Sequence, residues 1–158
     1  EIEVEEDQDT FEGNAMKKAK EIANVLKMPV IADDSGLCID ILKGWPGVHT
    51  ARFLGENATQ EQRNNAILEK MKKEQKRTAR VICCMAYYED GNFILGKGEV
   101  EGKIATKKRG KNGFGFDEIF ELPNGKTFAE LTLDEKNQIS HRKLALQDLK
   151  ENLQKFGK

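Results

Sequence analysis

Two adjacent carboxylates, Asp33 and Asp34, follow directly on the apolar run Val30-Ile31-Ala32, and Ser35 and Gly36 come straight after them. An apolar run bounded by turn formers predicts a short strand over residues 30–32, with both aspartates beyond its carboxyl end. Ligands of open α/β sheets gather beyond the carboxyl ends of strands. Taking a carboxylate out of water costs several kcal/mol unless something compensates it. A divalent cation does so. Mg²⁺ prefers oxygen ligands, commonly one or two carboxylates plus substrate phosphates. Successive strand residues point to opposite sides, so one aspartate can face a metal while the other anchors the backbone. The competing expectation is a plain turn in which an aspartate caps Ser35 and Gly36.

Three other stretches carry chemistry-bearing residues. "EVEEDQD", residues 3–9, is a second acidic source, although acidic residues just before a helix are also good electrostatics on their own. "GKNGFGFDE" sets Gly110, Gly113 and Gly115 around Phe114 and Phe116. Glycines admit close approach of a ligand to backbone, and an aromatic ring can stack on a flat base. The bland alternative is a tight turn feeding the apolar "FDEIFEL". "ISHRK" joins His141 to Arg142 near the start of the last predicted helix. Arginine is a planar multiple donor that suits a purine edge presenting O6 and N7, and suits the amino group of adenine poorly. The run Lys107–Lys111 reads best as a solvated loop.

The elements that must position these residues follow from periodicity. Thr10 caps a helix whose Phe11, Ala15, Ala19, Ile22 and Leu26 share a face, and Pro29 ends it. Thr59 and Gln62 form a capping box opening a second helix through Ala66, Ile67 and Met71. "TARVICCMAYYED" is a strand covered on both sides, and Asp90-Gly91 turns it into "NFILGKGEVEGKIA". Thr132 and Glu135 make another capping box. The last helix is predicted to carry Leu146, Leu149, Leu153 and Phe156 on its buried face, with Gly157 ending it. The fold class is α/β, a mixed central sheet flanked by helices.

The 158 residues suit one domain with a real core. Lys and Arg number 26 against 27 Asp and Glu, a net charge of −1. That balance excludes bulk electrostatic coating of nucleic acid or membrane. Three cysteines without C-x-x-C spacing read as free, buried thiols of a reducing compartment, which points to the cytoplasm.

Taken in order, "EEDQDTFEGNAMKKA", "PVIADDSGLCIDILKGWPGVHTARF", "GFGFDEIF" and "GKTFAELTLDEKNQISHRKLAL" resemble the inosine triphosphate pyrophosphatase family, and its bacterial branch in particular. The resemblance implies a single nucleotide pyrophosphatase domain over residues 1–158. It implies Mg²⁺-dependent attack of water on the α-phosphorus of ITP, dITP or XTP, with release of pyrophosphate. Asp34 matches the catalytic proton acceptor and metal ligand, and Glu5 the other metal ligand. Ser35 matches a substrate contact. Phe114, Gly115, Phe116 and Asp117 match the base-binding segment, with Phe116 stacking on the purine, and Lys136, His141 and Arg142 complete the nucleotide pocket. A homodimer is implied, with neither nucleic acid nor membrane as partner. The family opens with a strand and an S/T-x-N-x-x-K loop that does not precede Glu1. The chain is therefore expected to be N-terminally truncated, the alternative expectation being an inactive or weakly active nucleotide-binding fragment. Phe116 stands for a common tyrosine and Glu118 for a frequent proline, and His49 and Thr50 also depart from the commonest residues.

Overall fold

The computed structural model describes residues 4–156. Helix α1 spans Phe11–Leu26, and the Thr10 hydroxyl accepts the Gly13 N–H at 2.9 Å, as its sequence predicts. Its buried line is Phe11, Ala15, Ala19 and Ala23, with the polar Asn14 beside it, while Leu26 is exposed. Lys27 closes the helix in a left-handed conformation, its N–H bonding the Ala23 carbonyl.

Strand β1 runs over Val30–Ile39, so the three-residue strand expected from the sequence is too short. Asp33, Asp34, Ser35 and Gly36 lie inside the strand rather than beyond its end, and the turn reading is excluded as well. The reason is packing. Leu37 and Ile39 are fully buried, and alternation carries the chain straight through the carboxylates to reach them. Strands β2 (Thr78–Glu89) and β3 (Asn92–Ile104) are joined by Asp90-Gly91, both at positive φ, as the turn chemistry predicts. Strand β4 (Phe120–Glu121) pairs antiparallel with β3, Lys103 opposite Glu121 and Ile104 opposite Phe120. The sheet order is β1-β2-β3-β4. Helix α2 (Gln60–Lys70) carries the predicted Thr59/Gln62 capping box. Helix α3 (Leu133–Ile139) starts on reciprocal bonds between Thr132 and Glu135.

Helix α4 spans His141–Phe156 and corrects the expected buried face. Ala145 and Leu149 are buried, whereas Leu146 and Phe156 are exposed. The helix rests on glycines of β3 rather than on a leucine stripe. A Cβ on Gly96 would lie 2.5 Å from the Ala145 carbonyl oxygen and from the Leu149 nitrogen. Gly157 lies outside the described residues.

The chain divides into two compact units. The first takes residues up to Gly36, Ile82–Glu99 and the stretch from Ser140 onward. Within it Ala15 and Ala19 of α1 pack with Ala32 and Ala86 of the sheet, and Leu95 joins this cluster. Gly96 and Gly98 point the other way, to α4. This unit is therefore three layers, with α1 on one sheet face and α4 on the opposite one. The second unit takes Leu37–Val81 and Val100–Ile139. Its core joins Leu37, Ile39, Ile67, Met71, Ile104 and Ile119 to the stacked rings of Phe120 and Phe128, 5.4 Å apart. Among the described residues no helix is long and apolar enough to cross a membrane.

Candidate functional site

In the first unit the two aspartates of β1 face different helices. Asp33 and Ser35 lie on the α4 face. Arg142 donates to the Asp33 carboxylate, and its second terminal nitrogen reaches the Ser35 hydroxyl at 3.2 Å. Arg142 occupies the second position of α4 because Ser140 starts the helix: the Ser140 hydroxyl accepts the Lys143 N–H at 3.2 Å. The ion pair is about half exposed, so water screens it and its contribution to stability is small.

Asp34 lies on the α1 face and is buried. The Asn14 amide donates to its Oδ2 at 3.0 Å, and the Oδ1 of Asn14 accepts the Gln8 N–H at 2.9 Å. The acidic lead-in is tied down next to it. Lys18 donates to the Asp33 carbonyl at 2.7 Å and pairs with Glu6 at 2.6 Å, and Lys17 pairs with Asp7 at 2.8 Å. Glu5, expected as a metal ligand, is exposed in this segment.

In the second unit the glycine–aromatic segment is built around Asp117. Its carboxylate accepts the Phe114 N–H at 2.9 Å and pairs with Lys136. Gly113 has φ +96°, and a Cβ there would lie 2.2 Å from that carboxylate, so only glycine closes this turn. The Lys136 ammonium sits 4.2 Å from the ring centre of Phe114, which is 69% exposed. Phe116 is half-buried against the core and stacks on Phe53 at 6.2 Å. The buried Asn64 of α2 donates to the Gly115 carbonyl at 3.2 Å. The basic run nearby is partly neutralised. Lys108 pairs with Glu61 at 3.3 Å, and Arg109 with Glu121 at 2.7 Å and with Glu130 at 3.3 Å.

The Ham1 family model matches residues 1–152. This chain belongs to the Ham1 family. Its relatives include a dITP/XTP pyrophosphatase of Clostridium tetani, 46% identical over 98% of this chain and 80% of that protein. A dITP/XTP pyrophosphatase of Shouchella clausii is 47% identical over 96% and 79%. The Staphylococcus aureus Ham1 protein superposes with a TM-score of 0.92 at 41% identity, over 98% of this chain and 82% of that one. A HAM1 protein from Coxiella burnetii gives the same TM-score and identity over 98% and 81%. The family resemblance drawn from the four motifs therefore holds, and so does the α/β fold.

In this Ham1 chain the expected site residues make contacts within each unit. Ser35 and Arg142 meet in the first unit, in company with Asp33. Phe114, Gly115, Asp117 and Lys136 meet in the second. The sequence reading missed Asn14, Lys18, Ser140 and Asn64. The available signal was a polar side chain at a position where helical periodicity asks for an apolar one, as at Asn14 and Asn64, each 1% exposed. Among the described residues no three His, Cys, Asp or Glu side chains cluster as a ready-made metal cage. Mg²⁺ does not require one, since it usually keeps waters and substrate oxygens in its shell. A buried carboxylate held by a neutral amide is a hard oxygen donor of the right kind, so Asp34 fits such an ion.

The cysteines conform to the expectation of free thiols, although Cys38 is only partly buried. Burial pushes Cys83 up to about 12, with the Asp33 charge adding to the shift. Burial likewise pushes Cys84 up to about 12, with Glu12 adding to it. Neither of these two is a thiolate at neutral pH, and neither is a nucleophile. Iodoacetamide at pH 8 is expected to leave both unmodified in the folded protein and to label them after unfolding. Mass spectrometry of the peptides reads the result, and rapid labelling in the folded state would contradict this burial.

Proposed function

We propose that this chain hydrolyses noncanonical purine nucleoside triphosphates, ITP, dITP or XTP, to the monophosphate and pyrophosphate. The role is cleansing of the cytoplasmic nucleotide pool, by a homodimer that needs Mg²⁺. Its relatives' names support the reaction class. The single observation that carries the reading for this chain is the division of labour on β1. Asp33 pairs with Arg142 on one face, while on the other the buried Asp34 accepts a hydrogen bond from the Asn14 amide, which also holds the acidic lead-in through Gln8.

Phosphoryl chemistry asks the protein mainly to position groups and to meet developing charge. Asp34, with Glu5 of the acidic lead-in, would hold Mg²⁺, which when bound supplies charge neutralisation at the phosphates and lowers the pKa of water. Asp34 accepts the proton of the attacking water. The ring of Phe116 stacks on the base, with Phe114 beside it in the same segment. Lys136, held by Asp117, His141 and Arg142 are hydrogen-bond donors. Donors suit a 6-oxo purine, and facing the amino group of adenine they would be left unpaired. Arg142 is free to turn to a ligand because its pairing with Asp33 is half exposed and weakly held.

The test is pyrophosphate release from ITP, dITP, XTP and ATP, with Mg²⁺ and with a chelator in excess. Metal-dependent release from the first three and little from ATP is expected. ITP binding without release in either condition would make the chain a nucleotide-binding module instead. Arg142→Ala should lower the ITP-over-ATP ratio of kcat/KM by roughly tenfold or more. An unchanged ratio would remove Arg142 from base selection.

A further inference from the structure

Asn14 is the side chain that ties Asp34 to the acidic segment, and nothing in the reaction so far uses it. It is 1% exposed on α1, four residues after the cap Thr10 and next to Ala15 of the apolar face. A buried carboxamide at such a position costs stability unless its groups are satisfied. Here two are. Its Oδ1 accepts the Gln8 N–H at 2.9 Å, so its Nδ2 is the atom presented to Asp34, at 3.0 Å. The backbone donor at Gln8 therefore fixes which way the amide points.

We infer that Asn14 is a positioning residue for the catalytic carboxylate: it orients Asp34 toward a divalent cation and fixes the Glu5–Asp9 lead-in on the same face. The inference rests on the proposed reading of Asp34. An amide is the fitting group for this task because it donates a hydrogen bond without adding a positive charge. A lysine or arginine there would neutralise the carboxylate and compete with the cation, as Arg142 does at Asp33. Groups that hydrogen-bond a metal-binding carboxylate typically carry 10- to 100-fold of metal affinity or activity. Asn14 also couples the two acidic sources of the sequence through one side chain, since Gln8 sits three residues after Glu5.

The experiment compares four versions of the full chain: wild type, Asn14→Ala, Asp34→Asn and Thr10→Ala. Each is titrated calorimetrically with MgCl₂ alone, assayed for kcat and KM on ITP, and melted. Thr10→Ala removes the helix cap, which touches Gly13 and not Asp34, so it reports what loosening α1 does by itself. Asn14→Ala is expected to weaken Mg²⁺ binding about tenfold or more and to lower kcat by a similar factor, with a smaller change in KM. Thr10→Ala is expected to lower the melting temperature and leave Mg²⁺ affinity within about twofold of wild type. Asn14→Ala with wild-type Mg²⁺ affinity and kcat, while Asp34→Asn loses both, would overturn the positioning role and leave the proposed reading intact. Equal losses of Mg²⁺ affinity in Asn14→Ala and Thr10→Ala would reduce Asn14 to a packing residue. Asp34→Asn with full Mg²⁺ binding and turnover would sink the proposed reading itself.

Discussion

Asp34→Asn is expected to lower turnover on ITP by about 10³-fold while the melting temperature stays within a few degrees of wild type. The two side chains have nearly the same shape, so the packing of Ala32 and Ala86 against α1 is undisturbed. The new carboxamide can present its carbonyl oxygen to the Asn14 amide, so the buried hydrogen bond survives. What vanishes is the charge. A general base typically contributes 10²- to 10⁴-fold, and a carboxylate with the second role proposed here, holding the metal, belongs in the upper part of that range. The desolvation penalty of the buried carboxylate disappears with its charge, which offsets what the charge contributed to its contacts. Steady-state kinetics and thermal melting on one preparation decide the matter. Full activity would show that Asp34 is structural. A collapse in melting temperature would show that the carboxylate holds α1 in place rather than serving chemistry.

Which parts of this arrangement were visible in the sequence follows from the range of the interactions involved. The caps at Thr10, Thr59 and Thr132 were legible because each is satisfied within three residues. The β2–β3 turn was legible for the same reason, since Asp90-Gly91 needs no distant partner. The length of β1 was not. Ending the strand at Ala32 respects local turn preference, but the burial of Leu37 and Ile39 comes from residues such as Ile67 and Phe120, far along the chain. Tertiary packing overrode the turn signal of Asp-Ser-Gly. The idea that adjacent aspartates face opposite ways survived, because alternation is a property of any strand. The partners could not be read. Asn14 and Arg142 reach Asp34 and Asp33 across 20 and 109 residues. The segment Phe114–Asp117 was legible as a unit, because its turn closes on itself through Asp117 and Phe114. Its clamp by Lys136 and Asn64 depends on two other helical segments.

The buried face of α4 shows why an apolar stripe misled, and it leads to the largest expected loss of stability. Leu146, Leu149, Leu153 and Phe156 make a convincing helical stripe, yet the contact with the sheet is set by Gly96 and Gly98, where β3 offers no side chains at all. A Cβ on Gly98 would lie 2.1 Å from the His141 carbonyl oxygen and 2.4 Å from the Ala145 nitrogen. Both are backbone atoms, so no rotamer change relieves the overlap and the helix itself must move away. Gly98→Val is therefore expected to destabilise the protein by about 3 kcal/mol or more, at or beyond the upper end of ordinary overpacking. The displaced end of α4 carries His141 and Arg142, and hence the partner of Asp33 and Ser35. Activity on ITP should fall even at temperatures where the variant remains folded, with KM rising more than kcat falls, because in the proposed function the shifted groups contact the nucleotide and do not accept the proton. Gly91→Ala supplies the comparison. That glycine is at φ +85° with open space around it, so only local backbone strain is at stake, about 1 kcal/mol, with no effect on KM. Chemical denaturation of the two variants separates the cases. A Gly98→Val protein as stable as wild type would mean that α4 does not rest on β3, and the placement of Arg142 beside Asp33 would lose its structural basis.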